Sequence, residues 1–314
     1  MRKALLVGID NYTSNPLKGC FQDATAMAAT LESHGDGSPN FAVRLLTSPP
    51  DFVSRSALRG DIEKLFDGDA DIALFYFSGH GIMKSSGGYI VTQDSRKYDE
   101  GISMDEILAL ANASRARDKV ILLDCCHSGA LGSPAIGGKA LAMLSDGLSV
   151  LTASRDTEAA EEDTAGIFTS LALDALKGGA ADLRGHITPG SLYAYIDQAL
   201  GPWDQRPIFK TNVERFTSLR SLAPPIPFET LRKICVYFPH AQDEHQLDPS
   251  YEFTEPTADQ QKVAIFKDLQ KFTSVGLVVP VGEEHMYFAA VNSKSCRLTA
   301  LGYQYWRLVK EKRI

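Results

Sequence analysis

The feature that most limits what this chain can fold into is an alternation. Four short runs, Ala4–Ile9 (ALLVGI), Asp71–Phe77 (DIALFYF), Lys119–Leu123 (KVILL) and Ser149–Ala153 (SVLTA), are apolar and do not alternate strictly with polar residues. That is the composition of strands covered on both faces, as in a parallel sheet. Helical patterns lie between and after them, at Asp23–Glu32, Ser54–Phe66, Ser103–Ala113, Phe168–Leu176 and Gly190–Leu200. Strand–helix alternation predicts an α/β domain, a mostly parallel sheet flanked by helices. In such folds reactive groups collect just beyond the carboxyl ends of the strands.

At 314 residues the chain exceeds one domain of typical size. The pattern breaks at Ser221–Pro227 (SLAPPIP), where three prolines in four residues predict a linker. The expected division is a first domain over residues 1–220, a linker over 221–227 and a small α+β domain over 228–314. In the last part, Phe228–Phe238 and Gln260–Val275 predict amphipathic helices, with a loop over the polar stretch Gln242–Gln260. Leu277–Val281 and His285–Val291 predict two strands joined by a Gly282-Glu283-Glu284 turn. Leu298–Val309 predicts a final helix with Thr299 as N-cap and Leu298, Leu301, Tyr305 and Leu308 on one face. Helix, helix, hairpin, helix is the order of the latter part of a winged helix.

Composition narrows the class. Apolar residues are 44% and charged residues 23%, ordinary for a globular chain and unlike a disordered, collagenous or membrane-embedded one. The formal charge is −7, which argues against nucleic-acid binding through a broad basic face. Five cysteines, an odd number with no Cys-x-x-Cys pair, argue for a reducing compartment over a disulfide scaffold. The apolar run at the N-terminus is too short for a signal peptide, and no run approaches the ~18 residues of a membrane span. The expectation is a cytoplasmic protein with no membrane span.

Two loops carry the chemistry. Phe77-Ser78-Gly79-His80-Gly81 follows the run DIALFYF, and Asp124-Cys125-Cys126-His127-Ser128-Gly129 follows KVILL. A histidine at one strand end and a cysteine at another can meet across a sheet edge. Cysteine hydrolysis needs that pair: a thiolate attacks the carbonyl, and an imidazole activates the thiol and protonates the leaving amine. Cys125 and Cys126 are both candidate nucleophiles; neighbours in an extended chain point opposite ways, so one faces the site and the other the core. A metal site on Cys125, Cys126 and His127 lacks further partners at ligand spacing.

The pair SGHG and DCCHSG resembles the metacaspase branch of the caspase-like cysteine proteases. So do Met1–Asp10, Leu17–Ala24 (LKGCFQDA), Ser149–Glu158, Gly166–Leu176, Gly185–Tyr195 and Gln205–Ile208, in order, over about residues 1–215. The resemblance implies a caspase-like fold, with His80 the catalytic histidine, Cys126 the nucleophile, and the backbone N–H groups of Gly81 and Cys126 an oxyanion hole. It also implies a pocket for the residue before the cut bond (P1), lined by Cys20, Asp23, Ser78 and Asp124. Two carboxylates there suit Arg or Lys at P1 through charge-assisted bonds. Relatives that cut after Asp carry Gln-Ala-Cys where this chain has Asp124-Cys125-Cys126.

Three further expectations follow from the resemblance. Calcium is a candidate cofactor, with Asp94, Asp99, Glu100 and Asp105 as candidate ligands; Ala130–Leu144, where such chains usually supply an acid, has none. Lys139, in a Gly/Ala/Ser-rich stretch, and Arg155 are candidate self-cleavage points. The expected role is a regulated endopeptidase in a microbial stress, defence or cell-death circuit, its substrate a protein such as a pore-forming or toxin-like one. Residues 228–314 carry no net charge, so the whole −7 lies in the first part. That favours a regulatory protein partner for residues 228–314 over DNA. The competing reading is an inert caspase-like scaffold or a DNA-binding regulator acting through the winged helix.

Overall fold

The structure, a computed structural model, describes residues 1–125, 135–136, 139–140, 143–153, 165–200 and 206–314. The chain divides into two units, Met1–Leu222 and Ala223–Ile314. Among the described residues no helix is long and apolar enough to cross a membrane.

The strands of the first unit are β1 (Arg2–Ile9), β2 (Ala42–Ser48), β3 (Ile72–Ser78), β4 (Gly81–Lys84), β5 (Gly87–Arg96), β6 (Asp99–Ser103) and β7 (Asp118–Asp124). Then come β8 (Ala135–Ile136), β9 (Lys139–Ala140), β10 (Leu148–Thr152), β11 (His186–Ile187), β12 (Ile208–Asn212) and β13 (Arg220–Ser221). The helices are α1 (Cys20–Leu31), α2 (Arg55–Phe66), α3 (Met104–Ala113), α4 (Ala165–Asp174) and α5 (Pro189–Leu200). Six strands form the main sheet in the order β12-β10-β7-β3-β1-β2. All neighbours in it are parallel except β12, which runs antiparallel to β10. The chain leaves β1 for β2 on one side and returns to β3 on the other, so the strand order reverses between β1 and β3. Crevices at such reversals are where α/β sheets hold their ligands.

Side-chain alternation assigns each face. Leu5, Val7, Phe75, Phe77, Ile121 and Leu123 share a core with Leu58 and Ile62 of α2 and Ile107 of α3. Leu6, Leu74, Tyr76, Val120 and Leu122 share the other with Met27 of α1, Ala172 of α4 and Ile196 of α5. Period two then sends Ser78 and Asp124 to the α1/α4 face, below the sheet's carboxyl edge. Three pieces had no clear sequence signal. The edge strand β2 is largely solvated, β12 closes the opposite edge, and the β4-β5-β6 meander is a separate small sheet. None is a continuous apolar run, so periodicity did not expose them.

The second unit holds α6 (Phe228–Arg232), α7 (Ile234–Tyr237), β14 (Glu244–Gln246), α8 (Gln260–Ser274), β15 (Val278–Val281), α9 (Met286–Val291), β16 (Ser295–Leu298) and α10 (Ala300–Lys310). Its sheet is β14-β16-β15, antiparallel throughout. Four expectations need correction. Ser221 pairs with His186 in β11–β13, so it belongs to the first unit and not to a linker. The second hairpin strand is Ser295–Leu298; His285–Val291 forms helix α9, burying Met286, Ala289 and Ala290 at helical spacing. Gln242–Gln260 is not a plain loop: it contains β14, and Asp248 caps a helical turn that buries Tyr251. Thr299 does cap α10, accepting from Gly302 N–H at 2.9 Å, but the buried positions are Gly302 and Trp306, and Leu301 is exposed. Without a side chain Gly302 lets α10 lie against the Leu277 carbonyl; an added Cβ would sit 1.9 Å from that oxygen.

Candidate active site

The histidine loop is built by close approach. An added Cβ on Gly79 would lie 2.5 Å from the Tyr12 hydroxyl and 2.8 Å from the Phe77 ring, so only glycine fits. Gly79 N–H donates to the Asp124 carbonyl at 3.3 Å, tying the end of β3 to the end of β7. His80 N–H donates to Tyr12 Oη at 3.1 Å, and Tyr12 O–H donates to the Val91 carbonyl at 3.2 Å. The two rings lie 4.6 Å apart between centroids, at 51°. His80 Nε2 is 2.6 Å from the Asn15 carbonyl. A carbonyl only accepts, so Nε2 carries the proton and Nδ1 is left as the basic nitrogen. Asn15 presents that carbonyl from a left-handed backbone, φ 55°.

The four expected pocket residues come together at the β1–β3–β7 edge. Ser78 and Asp124 are register partners, buried on the same face. Cys20 opens α1 and Asp23 lies one turn on. The Cys20 thiol is pushed up to about 12, mainly by burial, and so stays protonated at neutral pH. Burial, with the nearby Asp10 charge, pushes Asp23 up to about 6. Burial pushes Asp124 up to about 8, with the Asp23 charge adding and a Thr169 hydrogen bond partly offsetting. Thr169 Oγ1 donates to Asp124 Oδ2 at 2.5 Å and is itself 2.7 Å from the Tyr76 hydroxyl. Asp124 Oδ1 is buried without a hydrogen-bond partner among the described residues.

Sequence reasoning passed over several of these groups. Asp10 follows β1 and receives the Cys20 and Phe21 amides at 2.9 and 3.2 Å, capping α1, whose N-cap Gly19 has no side chain to do so. Its only signal was an acid directly after a buried strand. Tyr12, Asn15 and Thr169 carried none, because their partners lie 45 to 93 residues away in the chain. Cys125 is buried in the core shared with α2 and α3. Cys126 and Arg155 lie outside the described residues, as does the side chain of Lys139. Gly81 opens β4 directly after His80.

The calcium candidates are already committed elsewhere. Asp94 accepts from Arg55 N–H and Thr92 Oγ1. Asp99 pairs with the Arg55 guanidinium, and Glu100 pairs with Lys84 at 3.2 Å. Asp105 sits in the first turn of α3. Among the described residues no three His, Cys, Asp or Glu side chains converge on a metal position. Calcium needs six to eight oxygens, several of them carboxylate, and these residues do not fit it.

The sheet order and the two loops at its carboxyl edge define a caspase-like fold. Solved structures share it: caspase-1 of Spodoptera frugiperda at TM-score 0.50 and 12% identity, over 70% of this chain and 90% of that one. A Geobacter sulfurreducens protein matches at TM-score 0.51 and 20% identity, over 71% and 98%. A family model of the caspase domain matches residues 1–214, and the chain belongs to this peptidase family. Metacaspase-2 of Trypanosoma brucei brucei is 32% identical, over 41% of this chain and 42% of that protein. Metacaspase-9 of Arabidopsis thaliana is 30% identical, over 41% and 44%. The chain thus spans less than half the length of these curated relatives.

Proposed function

We propose that the chain is a cysteine endopeptidase that cleaves proteins after Arg or Lys, with His80 and Cys126 as its dyad. The observation that carries the reading is Asp124 Oδ1, buried and without a hydrogen-bond partner among the described residues. A buried carboxylate oxygen without a partner is costly, and one in a native fold calls for an occupant. A P1 guanidinium or ammonium beside Asp124 and Asp23 supplies the missing donors and draws both carboxyls into their charged form. Asp124 stands two residues before Cys126 in the chain, as Ser78 stands two before His80.

In this mechanism His80 Nδ1 takes the thiol proton, and the thiolate sulfur adds to the P1 carbonyl carbon. The N–H groups of Gly81 and Cys126 receive the oxyanion. The imidazolium returns its proton to the leaving nitrogen as the C–N bond breaks, giving a thioester and a new amino terminus. Water, deprotonated by the same imidazole, then splits the thioester and restores the thiol. The Asn15 carbonyl holds the ring throughout. Lys139 and Arg155 remain candidates for self-cleavage.

The C-terminal unit, neutral overall and with Val236 and Phe253 more than two-thirds exposed, is proposed as a winged-helix-like module for protein contact. The central test is turnover of peptides differing only at P1. Arg and Lys peptides are expected to be cut by the native chain and not by Cys126→Ala. Cutting of Asp peptides with Arg peptides left intact overturns the specificity.

A further inference from the structure

On the α1/α4 face of the sheet, two hydroxyls line up behind a carboxyl. Tyr76 of β3, Thr169 of α4 and Asp124 of β7 are all buried. The Tyr76 and Thr169 oxygens lie 2.7 Å apart, and Thr169 Oγ1 donates to Asp124 Oδ2 at 2.5 Å. A hydroxyl has one hydrogen to give. Thr169 spends its own on Asp124, so it accepts from the Tyr76 O–H, and the line runs one way, from Tyr76 through Thr169 to Asp124. We propose that Thr169, set by Tyr76, is a positioning residue that directs the Asp124 proton onto Oδ1, where an incoming guanidinium or ammonium displaces it, so that cation binding releases a proton. The inference rests on the reading of Asp124 as the contact for a basic P1 side chain.

Charge and geometry both support this exchange. The ionisable groups about Asp124 are Asp23 and Cys20 of α1 and Tyr76 of β3, with Asp10 reaching Asp23 and Cys20 in turn. None of these is a cation. Burial beside a second acid favours the uncharged carboxyl, which attracts a cation only weakly. Oδ2 is filled by the Thr169 hydrogen, whereas Oδ1 is buried with no partner among the described residues. A proton on the carboxyl therefore resides on Oδ1, the oxygen left for the cation. The step balances: the Oδ1–H bond breaks, the proton passes to water or buffer, and the N–H groups of the cation take its place on the carboxylate. Thr169 keeps a donor on the anion throughout, without which the buried charge would lose a hydrogen bond. Burial holds the Asp124 carboxyl at about 8, so at neutral pH the proton is in place to be displaced.

The test is calorimetry with agmatine, a guanidinium probe with no peptide bond, at pH 7 in phosphate and in Tris, whose ionisation enthalpies differ. Binding to the native chain is expected to release about one proton, and the release to fade as pH rises well past the folded pKa. Thr169→Val is expected to bind agmatine about 10-fold or more weakly at pH 7, the scale of a lost hydrogen bond to a charged group, and to reach half-maximal affinity at higher pH. KM for Arg peptides should rise with it, while kcat changes far less. Thr169→Ser keeps the hydroxyl and should return both affinity and pH profile close to the native ones. Tyr76→Phe keeps the ring, removes the donor that sets Thr169, and should move the profile in the same direction; it carries the test if Thr169→Val does not fold. A merely structural Thr169 would lower stability and leave the pH profile of affinity in place. Three results overturn this inference alone while Arg peptides are still cut: no agmatine binding, binding without proton release, or one pH profile shared by the native chain and both variants. Failure to bind agmatine together with failure to cut any Arg or Lys peptide overturns the P1 reading and this inference with it.

Discussion

Asp124 concentrates the argument at the scale of single residues. Its carboxyl is buried, held on one oxygen by Thr169 and, among the described residues, without a partner on the other. Asp124→Asn is expected to reduce kcat/KM for Arg peptides on the order of 100-fold, the cost of removing one partner of a buried charge pair. Alkylation of Cys126 by a small neutral reagent should be little changed. The same group links stability to pH. Its folded pKa, about 8, lies above the ordinary carboxylate value, so the folded state binds the proton more tightly than the unfolded one. The stability it contributes is complete below about pH 4 and is lost as pH rises through about 8. The Tm of Asp124→Asn relative to the native chain should therefore rise between pH 5 and pH 9. A constant difference would remove the assigned cause.

At the scale of elements, two contacts hold the site in place. Asp10 caps α1 and sets part of the charge around Asp23. Asp10→Ala should cost about 1 kcal/mol in urea unfolding, as a lost cap does. Removal of the negative charge should also lower the Asp23 pKa, moving the onset of Arg-peptide binding to lower pH in a KM–pH profile. Gly79→Ala forces a Cβ into Tyr12 and Phe77. Overpacking of that kind costs about 1–3 kcal/mol and displaces the His80 loop, so turnover should fall with stability. The central strands β1, β3, β7 and β10 were legible because strands buried on both faces must be apolar along their whole length. The edge strands β2 and β12 were not, since half their side chains meet solvent. The α9 segment reads as a strand in sequence because short apolar runs fit both periods, and its Met286, Ala289 and Ala290 packing is visible only in three dimensions.

Over the whole molecule, charge is unevenly distributed. The first unit holds the entire net −7 and the second is neutral. The proposed P1 pocket lies in that first unit, so a cationic peptide is expected to be drawn toward it. The apparent association rate for Arg peptides should fall as salt is raised from 0.05 to 0.5 M, steps that shorten the Debye length below about 10 Å. A neutral reagent aimed at Cys126 should show no such dependence. Equal salt sensitivity of both would count against steering.

The amino-acid sequence by itself determined the layered α/β class, the central strands and the family, and it singled out the two candidate loops. All of these are written in local patterns: apolar runs, glycines flanking a histidine, an acid before paired cysteines. The tertiary structure decided what crosses the chain. It set the strand order that places Ser78 opposite Asp124, and the carbonyl of Asn15 that fixes the His80 proton. It also set the Thr169 hydroxyl on one Asp124 oxygen, the other having no partner among the described residues, and the cavity beside the imidazole. Each of these is a contact between residues far apart in sequence. Its energy depends on burial and direction, which composition and spacing do not encode.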